Sequence, residues 1–416
     1  TKDNPDIRLF FGTNDGVFHV VRNTSPDGSE SGEEGFAFVP LELLPGQAAL
    51  QANGQQTVEP HIYGLDGEAV SYVIDADGDG NLVSGNGSND SVMVYIGMRR
   101  GGKALYAFNM TDPDAPLLEW KITSEDTDFT QLGMTFSRPF ATEIDLDGDG
   151  TRTPLLIFAG GYNGGWMKDG SNARIGKDID GNRAADDIGN AIYVVNAETG
   201  ALVWKALGPG VDNASDTADS VFRHVDMLHS IPSNISLLDT NGNEIVDRGY
   251  DGDTGGNIWR IELVEATLDV DNNVIGGPKD WYVTRLADLD SAPVGTPEAG
   301  DLRFFHAPDV VQTRDSTGDY DAIVIASGNR ADPLDTDVQN YLFMIKDRNI
   351  GVGAGADTGY ATMNLGDITD NCLQNDSCIA DPDLARGWRL GLEGGDEKML
   401  STPLTLAGTV YATSYI

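Results

Sequence analysis

Short runs of β-branched and aromatic residues, each closed by a Gly/Asn/Asp turn, set the rhythm of this chain. RLFFGTNDGVFHVV (8–21) has two apolar runs around Asn-Asp-Gly and predicts a hairpin. VMVYIGMRRGGKALYAFN (92–109) repeats the scheme around Gly-Gly. LLIFAGGYNGG (155–165) leads through an acidic insertion to AIYVVNAETGALVW (191–204). RGYDGDTGGNIWRIEL (248–263) and AIVIASGNRADPLDTDVQNYLFMIKD (322–347) follow, and TVYATSYI (409–416) reads as a closing strand. The units recur roughly 60–90 residues apart, whereas a plain propeller blade needs about 40–50, so insertions or skipped blades separate them. Repeated hairpins without helical periodicity favour an all-β, radially repeated fold, in which many small sheets share one core. With no Pro/Ser-rich linker in sight, residues 1–416 are expected to form a single β-propeller domain. Trp204 and Trp259 follow strand-like runs and read as packing between blades.

Composition changes this picture in one respect. Hydrophobic residues make up 40% of the 416, as in ordinary globular proteins, but the formal charge is −39. Such a surface repels nucleic acid and anionic lipid, and the sequence contains no basic stretch that would bind phosphate. The acid excess is either a solvated surface or, in part, a store of metal ligands. No apolar run approaches the roughly 20 residues of a membrane-spanning helix. The chain opens on TKDNPDIRLFFGTNDG and closes on strand-like sequence, so both ends read as cuts through a larger protein. Cys372 and Cys378, in the polar stretch NCLQNDSC, fit a local disulfide formed in an oxidising compartment.

The sharpest motif is DTNGNEIVD (239–247). Asp239, Asn241 and Asn243 stand at positions one, three and five, followed by the Ile245 carbonyl and by Asp247 at position nine. Alternate residues of a tight loop can turn such oxygens toward one hard cation, and Ca²⁺ takes six to eight oxygen ligands. DIDGNRAAD (178–186) copies the template with Asp178, Asp180, Asn182, the Ala184 carbonyl and Asp186. DADGDGN (75–81) offers Asp75, Asp77 and Asp79, and DLDGDGT (145–151) offers Asp145, Asp147 and Asp149. Their ninth positions are Val83 and Thr153, so each needs a ligand from elsewhere. The competing reading of all four is an Asx-rich turn without metal. Catalytic constellations are poor: His224 and His229 lack an HExxH context, no GxSxG elbow is present, and GVGAGADTG (351–359) lacks a following helix. An enzyme is not expected.

Several of these stretches resemble the β-propeller domain of the PilC/PilY family. The resemblance is carried by FFGTNDGVFHVV, YIGMRRGGKALYAFNMTDP, GGYNGG, IYVVNAETGALVW and, above all, HSIPSNISLLDTNGNEIVDRGYDGDTGGNIWRIEL. ASGNRADPL, YLFMIKD and GWRLGLEGGDEKMLSTPL continue in the family's order. It implies a modified seven-bladed, quinoprotein-like propeller with acidic loop insertions and a calcium loop at 239–247. It implies a type IV pilus biogenesis factor and tip-associated adhesin, partnered by pilins and minor pilins, that attaches to host or abiotic surfaces. It further implies an extracellular place at the pilus tip or outer-membrane surface of a Gram-negative bacterium, where calcium switches pili between extension and retraction. The family's N-terminal adhesive region is missing from the chain. A quinoprotein dehydrogenase is disfavoured, because its Trp-containing motif recurs in most blades and here stands once, in NAETGALVW. A structural or glycan-binding propeller is the remaining alternative.

Overall fold

The structure, a computed structural model, describes residues 7–25, 27–52, 62–82, 89–165, 175–176, 185–210, 219–290, 301–336, 338–350, 360–361, 364–369, 384–394 and 396–416. Five sheets follow one another along the chain. The first joins Arg8–Gly12, Phe18–Thr24 and Glu30–Phe38; the second joins Val70–Ile74, Ser91–Gly97, Ala104–Asn109 and Leu117–Thr123. The third runs through Phe140–Asp145, Arg152–Ala159, Ala191–Asn196 and Leu202–Leu207, with Val221–Arg223 added in parallel. Ser236–Leu238, Arg248–Gly252, Asn257–Glu262 and Tyr282–Asp288 form the fourth. Asp309–Asp315, Gly318–Ala326, Tyr341–Asp347 and Gly387–Gly391 form the fifth, edged by Gly366–Asp367.

Every expected hairpin is present, and the central strands of the second, third and fourth sheets are buried along most of their length for a reason visible in their packing. In the second sheet Val94 and Ile96 pack on Phe18 and Val20 of the first, while Met93 and Tyr95 pack on Leu156 and Tyr193 of the third. In the third sheet Leu155 and Ile157 turn instead toward Trp259 and Ile261 of the fourth. Successive side chains of a strand point to opposite faces, and here both faces meet a neighbouring sheet. The fourth sheet then packs on the fifth through Tyr250, Ile258, Ile323 and Phe343. A small cluster of Phe136, Tyr162 and Phe305 links the third sheet directly to the fifth, with Tyr162 and Phe305 ring centroids 5.0 Å apart. This is the radial stacking of a propeller. Five sheets and three two-stranded ribbons are what the described residues contain; a count of seven blades does not emerge from them.

Two details depart from the sequence-based picture. Leu44–Ala52 is an α-helix where no helix was expected, and the Gly-Gly turn at 101–102 is preceded by a 3-10 turn over Arg99–Gly101. TVYATSYI supplies two short strands, of which Ser414–Tyr415 pairs with Lys398–Met399. Trp204 and Trp259 are buried as expected, Trp204 against Trp281 and Trp259 against His224. Cys372 and Cys378 lie outside the described residues. So does the glycine-rich stretch 351–359.

The turn of the fourth sheet buries two carboxyl groups. Asp253 accepts hydrogen bonds from the Gly255 and Asn257 backbone N–H, the Asn257 side chain and the Trp259 indole. Asp251 accepts from Ser233 Oγ and the Gly252 N–H through one oxygen, leaving Oδ2 without a partner. Burial pushes Asp251 up to about 7, against which the Ser233 and Gly252 donors are too few. A carboxyl raised in the folded state binds its proton more tightly there than in the unfolded chain. Its stabilisation is therefore complete below the unfolded pKa of about 4 and fades as pH rises toward 7. Asp251→Asn should flatten that decline and exceed the parent chain in stability at pH 8 by a few kcal/mol, up to ~4. Urea unfolding of both proteins at pH 5 and pH 8 checks this; equal pH dependence contradicts it.

Candidate metal centre

Three of the four acidic loops fall among the described residues, and one hydrogen-bond frame recurs in all of them. Each begins where a strand ends: after Val70–Ile74, at the end of Phe140–Asp145, and after Ser236–Leu238. In the loop at 145–151, the Asp147 and Gly148 N–H donate to Asp145 Oδ1 and the Gly150 N–H donates to Oδ2. Asp147 then accepts from the Asp149 N–H, and Asp149 from the Thr151 N–H. At 75–81 the Gly78 and Gly80 N–H donate to Asp75, the Asp79 N–H to Asp77, and the Asn81 N–H to Asp79. At 239–247 the Asn241, Gly242 and Asn243 N–H converge on Asp239 Oδ1 and the Glu244 N–H reaches Oδ2. Asn241 and Asn243 each accept from the N–H two residues on.

The frame explains why these residue types stand at these spacings. Position four is Gly78, Gly148 or Gly242, with φ of +70, +79 and +80°, where a side chain is disfavoured. Position six is also left-handed, occupied by Gly80, Gly150 and, in the third loop, Glu244 at φ +68°. That conformation costs an ordinary residue roughly 1–2 kcal/mol. Each frame wraps the first carboxylate in N–H donors, yet a carboxylate oxygen has capacity beyond one hydrogen bond and can still meet a cation. Burial raises the pKa of Asp145, but the Gly148, Gly150 and Asp147 N–H outweigh it and hold the carboxyl below its ordinary range. Asp239 is likewise held low by its four N–H donors.

The loops differ in charge. Asp145, Asp147 and Asp149 bring carboxylate oxygens within 4.8 Å of one another. At 75–81 the residues brought together are Asp75, Asp77 and Asp90, not Asp79; Asp90 also accepts the Ala76 N–H at 3.0 Å. That distant carboxylate is the kind of ligand the incomplete loop required, and position alone could not have named it. The loop at 239–247 holds Asp239 and Asp247 at its ligand positions, with Glu244 at position six between them. Asp247 is half-buried, accepting from the Thr240 N–H and hydroxyl and from Asn241 Nδ2. Burial raises its pKa, and the nearby Asp239 charge adds to this. Glu265, also missed by spacing, accepts from Asn243 Nδ2 at 3.2 Å and brings an acid from outside the loop. Three gathered carboxylates at the first two loops, and mixed carboxylate and amide oxygens at the third, are the donor types that a hard cation takes.

The fourth loop is different. Asp178, Asp180, Asn182 and Ala184 lie outside the described residues. Asp186 is buried, accepting from the Ser230 N–H at 2.9 Å, Asn163 Nδ2 at 3.2 Å and Thr254 Oγ1 at 3.4 Å. In the described part, this carboxylate ties the insertion to the scaffold.

Residues 2–378 match the family described as the PilY1 beta-propeller domain. The chain belongs to this family. A PilY1 homologue described as a type IV pilus biogenesis factor from Xylella fastidiosa is 28% identical over 264 residues, 61% of this chain and 14% of that protein. The type IV pilus biogenesis factor PilY1 of Pseudomonas aeruginosa is 27% identical over 268 residues, 64% of this chain and 18% of its own length. The matches thus span less than a fifth of these relatives. The crystal structure of the P. aeruginosa PilY1 C-terminal domain superposes with a TM-score of 0.61 at 20% identity, covering 98% of this chain and 76% of that one. That likeness establishes the propeller fold. The PilY1 relatives are named as biogenesis factors rather than enzymes. Among the described residues, no helix is long and apolar enough to cross a membrane.

Proposed function

We propose that this PilY1-family propeller is a calcium-binding module of a type IV pilus biogenesis factor, one that regulates pilus extension and retraction and supports surface attachment outside the cell. The observation that carries the calcium reading is the recurrence of one N–H frame in three loops at strand ends, two of which gather three carboxylates each. Bound Ca²⁺ would neutralise carboxylates that otherwise repel one another and would order the loop that holds them. Asp239, Asn241, Asn243, the Ile245 carbonyl and Asp247 would hold it at the third loop, with Glu265 adjacent. Asp145, Asp147 and Asp149 would hold it at the second, and Asp75, Asp77 and Asp90 at the first.

The third loop has the best connection to the rest of the molecule. Asp247 is followed directly by Arg248, whose buried guanidinium reaches the fifth sheet. Order in the loop is thereby coupled to a contact between blades, and an ordered loop can present a surface to a pilin or minor pilin that an unordered one cannot. The propeller is rigid and supplies display; the loop supplies the response. At millimolar calcium the chain should carry at least two Ca²⁺, in preference to Mg²⁺, because the loops offer flexible oxygen cages rather than strict octahedra. Elemental analysis after dialysis tests this, and one metal or none would sink the proposal.

A further inference from the structure

The fold assembles a basic cavity that the linear sequence hides. A cavity of about 360 Å³ is lined by segments of the second, third, fourth and fifth sheets and of the C-terminal ribbon. Glu68 enters from just before the first strand of the second sheet, and Arg99 from just after its second strand. Phe136 and Arg138 precede the third sheet, Asn234 the fourth, and Phe305 and His306 the fifth; Arg330 follows Gly318–Ala326. The start of a first strand and the end of its antiparallel partner lie at the same end of a sheet, so these corners converge on one mouth. In a chain of net charge −39, the lining contains three arginines and one acid.

The polar atoms there are not consumed by the fold. Glu68 pairs with Arg138 at 3.3 Å. Arg330 has no ion pair among the described residues, although Asp66 and Glu68 lie near enough to influence it. Arg99 donates only a long bond of 3.5 Å to the Asp66 carbonyl and stacks over the Phe136 ring at 5.4 Å, leaving its buried Nε without a partner. His306 Nε2 is also buried and unpartnered. Burial, then the Arg330 and Arg99 charges, push His306 down to about 4, so it is a neutral imidazole at physiological pH. Arg330 is itself lowered, by burial and by repulsion from Arg99 and Arg100. Arg99 adopts φ +48°, a strained conformation for a residue with a side chain, and strain of this kind gathers at ligand clamps. Adjacent Arg100 braces the cluster, donating to Tyr63 OH at 2.6 Å and to the Arg330 carbonyl at 3.2 Å.

We propose that this cavity binds a small organic oxyanion, a carboxylate or phosphate compound, held by Arg99 and Arg330 and flanked by Phe136 and Phe305. Guanidinium forks match both oxyanions, and the aromatic rings supply an apolar wall. The volume sits at the small end of the roughly 300–1,000 Å³ typical of ligand pockets. A large polyanion would be repelled by a chain of net charge −39, which favours a small occupant.

The test uses the 416-residue chain in calcium-free buffer, titrated calorimetrically with succinate and, separately, with phenyl phosphate. Saturable one-site binding of succinate assigns the carboxylate source, and of phenyl phosphate the phosphate source. Arg330→Gln and Arg99→Gln should each weaken that binding about 10- to 100-fold, the loss of a charged hydrogen-bond partner. Without ligand, Arg330→Gln should raise the unfolding temperature at low salt, because a repelling charge is removed from the cluster. A structural guanidinium would do the opposite. No saturable binding of either probe at millimolar concentration, unchanged binding in both variants, or an Arg330→Gln chain that is less stable or fails to fold would each overturn the proposal.

Discussion

Arg248→Ala is expected to destabilise the propeller by about 3–5 kcal/mol, more than any single loop substitution, because it strips buried Asp321 of its guanidinium and leaves Glu262 with Arg260 alone. The Arg248 side chain is 5% exposed and bonds Glu262 Oε1 at 2.9 Å, Asp321 Oδ2 at 3.1 Å and the Ile350 carbonyl at 3.1 Å. Beside it Arg260 bonds Asp347 Oδ2 at 2.9 Å, and Tyr250 donates to both Asp321 and Asp347. Two arginines and a tyrosine of the fourth sheet thus hold two aspartates of the fifth. Breaking one member of a buried pair costs far more than the pair contributes, since Asp321 would keep only the neutral Tyr250 hydroxyl and no counter-charge. Urea unfolding monitored by tryptophan fluorescence checks the effect, with Arg314→Ala as a control; Arg314 pairs with Asp319 at the surface, where loss should cost at most about 1 kcal/mol. Equal, small losses in both variants would contradict the assignment of the network as the bond between these blades.

The second large effect is functional. Asp247→Ala removes the position-nine carboxylate of the 239–247 loop together with its bonds to Thr240 and Asn241. Tyr250 stands where a position-twelve glutamate would otherwise substitute, and it is already bonded to Asp321 and Asp347. The variant should lose metal at this loop while the strands, whose cores lie elsewhere, stay folded. Asp247→Lys goes further, placing an ammonium near Asp239 and offsetting its charge without calcium. In cells making each variant within the full-length protein at matched expression, Ala should give the calcium-free pilus phenotype and Lys should approach the calcium-bound one. Surface piliation and twitching motility are the readouts. Wild-type behaviour in both, despite confirmed loss of metal, would defeat the switch.

Much of the fold was legible because a strand buried on both faces reads as an unbroken apolar run, as in IYVV at 192–195, and because turns such as Asn-Asp-Gly announce themselves locally. Leu44–Ala52 escaped because its LPGQAALQA sequence opens on Pro and Gly and buries no side chain, so it carries no clear helical stripe. The acidic loops were legible for the same local reason as the turns: their frame is made by residues two to five apart. What spacing could not supply were partners from elsewhere. Asp90 reaches Asp75 and Asp77 from fifteen positions beyond Asp75, and Glu265 reaches Asn243 from the end of a hairpin. The basic cavity was invisible for the same reason, since Arg99, Arg138 and the pair His306 and Arg330 sit at the corners of three sheets and meet only when the sheets pack together. The ninth-position Asp186 shows a second role that spacing could not reveal: its carboxylate fastens Ser230 and Thr254.

The central claim is that these loops hold calcium, and a site-resolved calcium count tests it most directly. Calorimetric titration of calcium into the metal-free chain, paired with elemental analysis, should be repeated for Asp247→Ala and Asp145→Ala, with folding verified by circular dichroism. The account predicts that each variant loses one binding event and that the double variant loses both. A parent chain that takes up no calcium, or folded variants that bind as many ions as the parent, would contradict it.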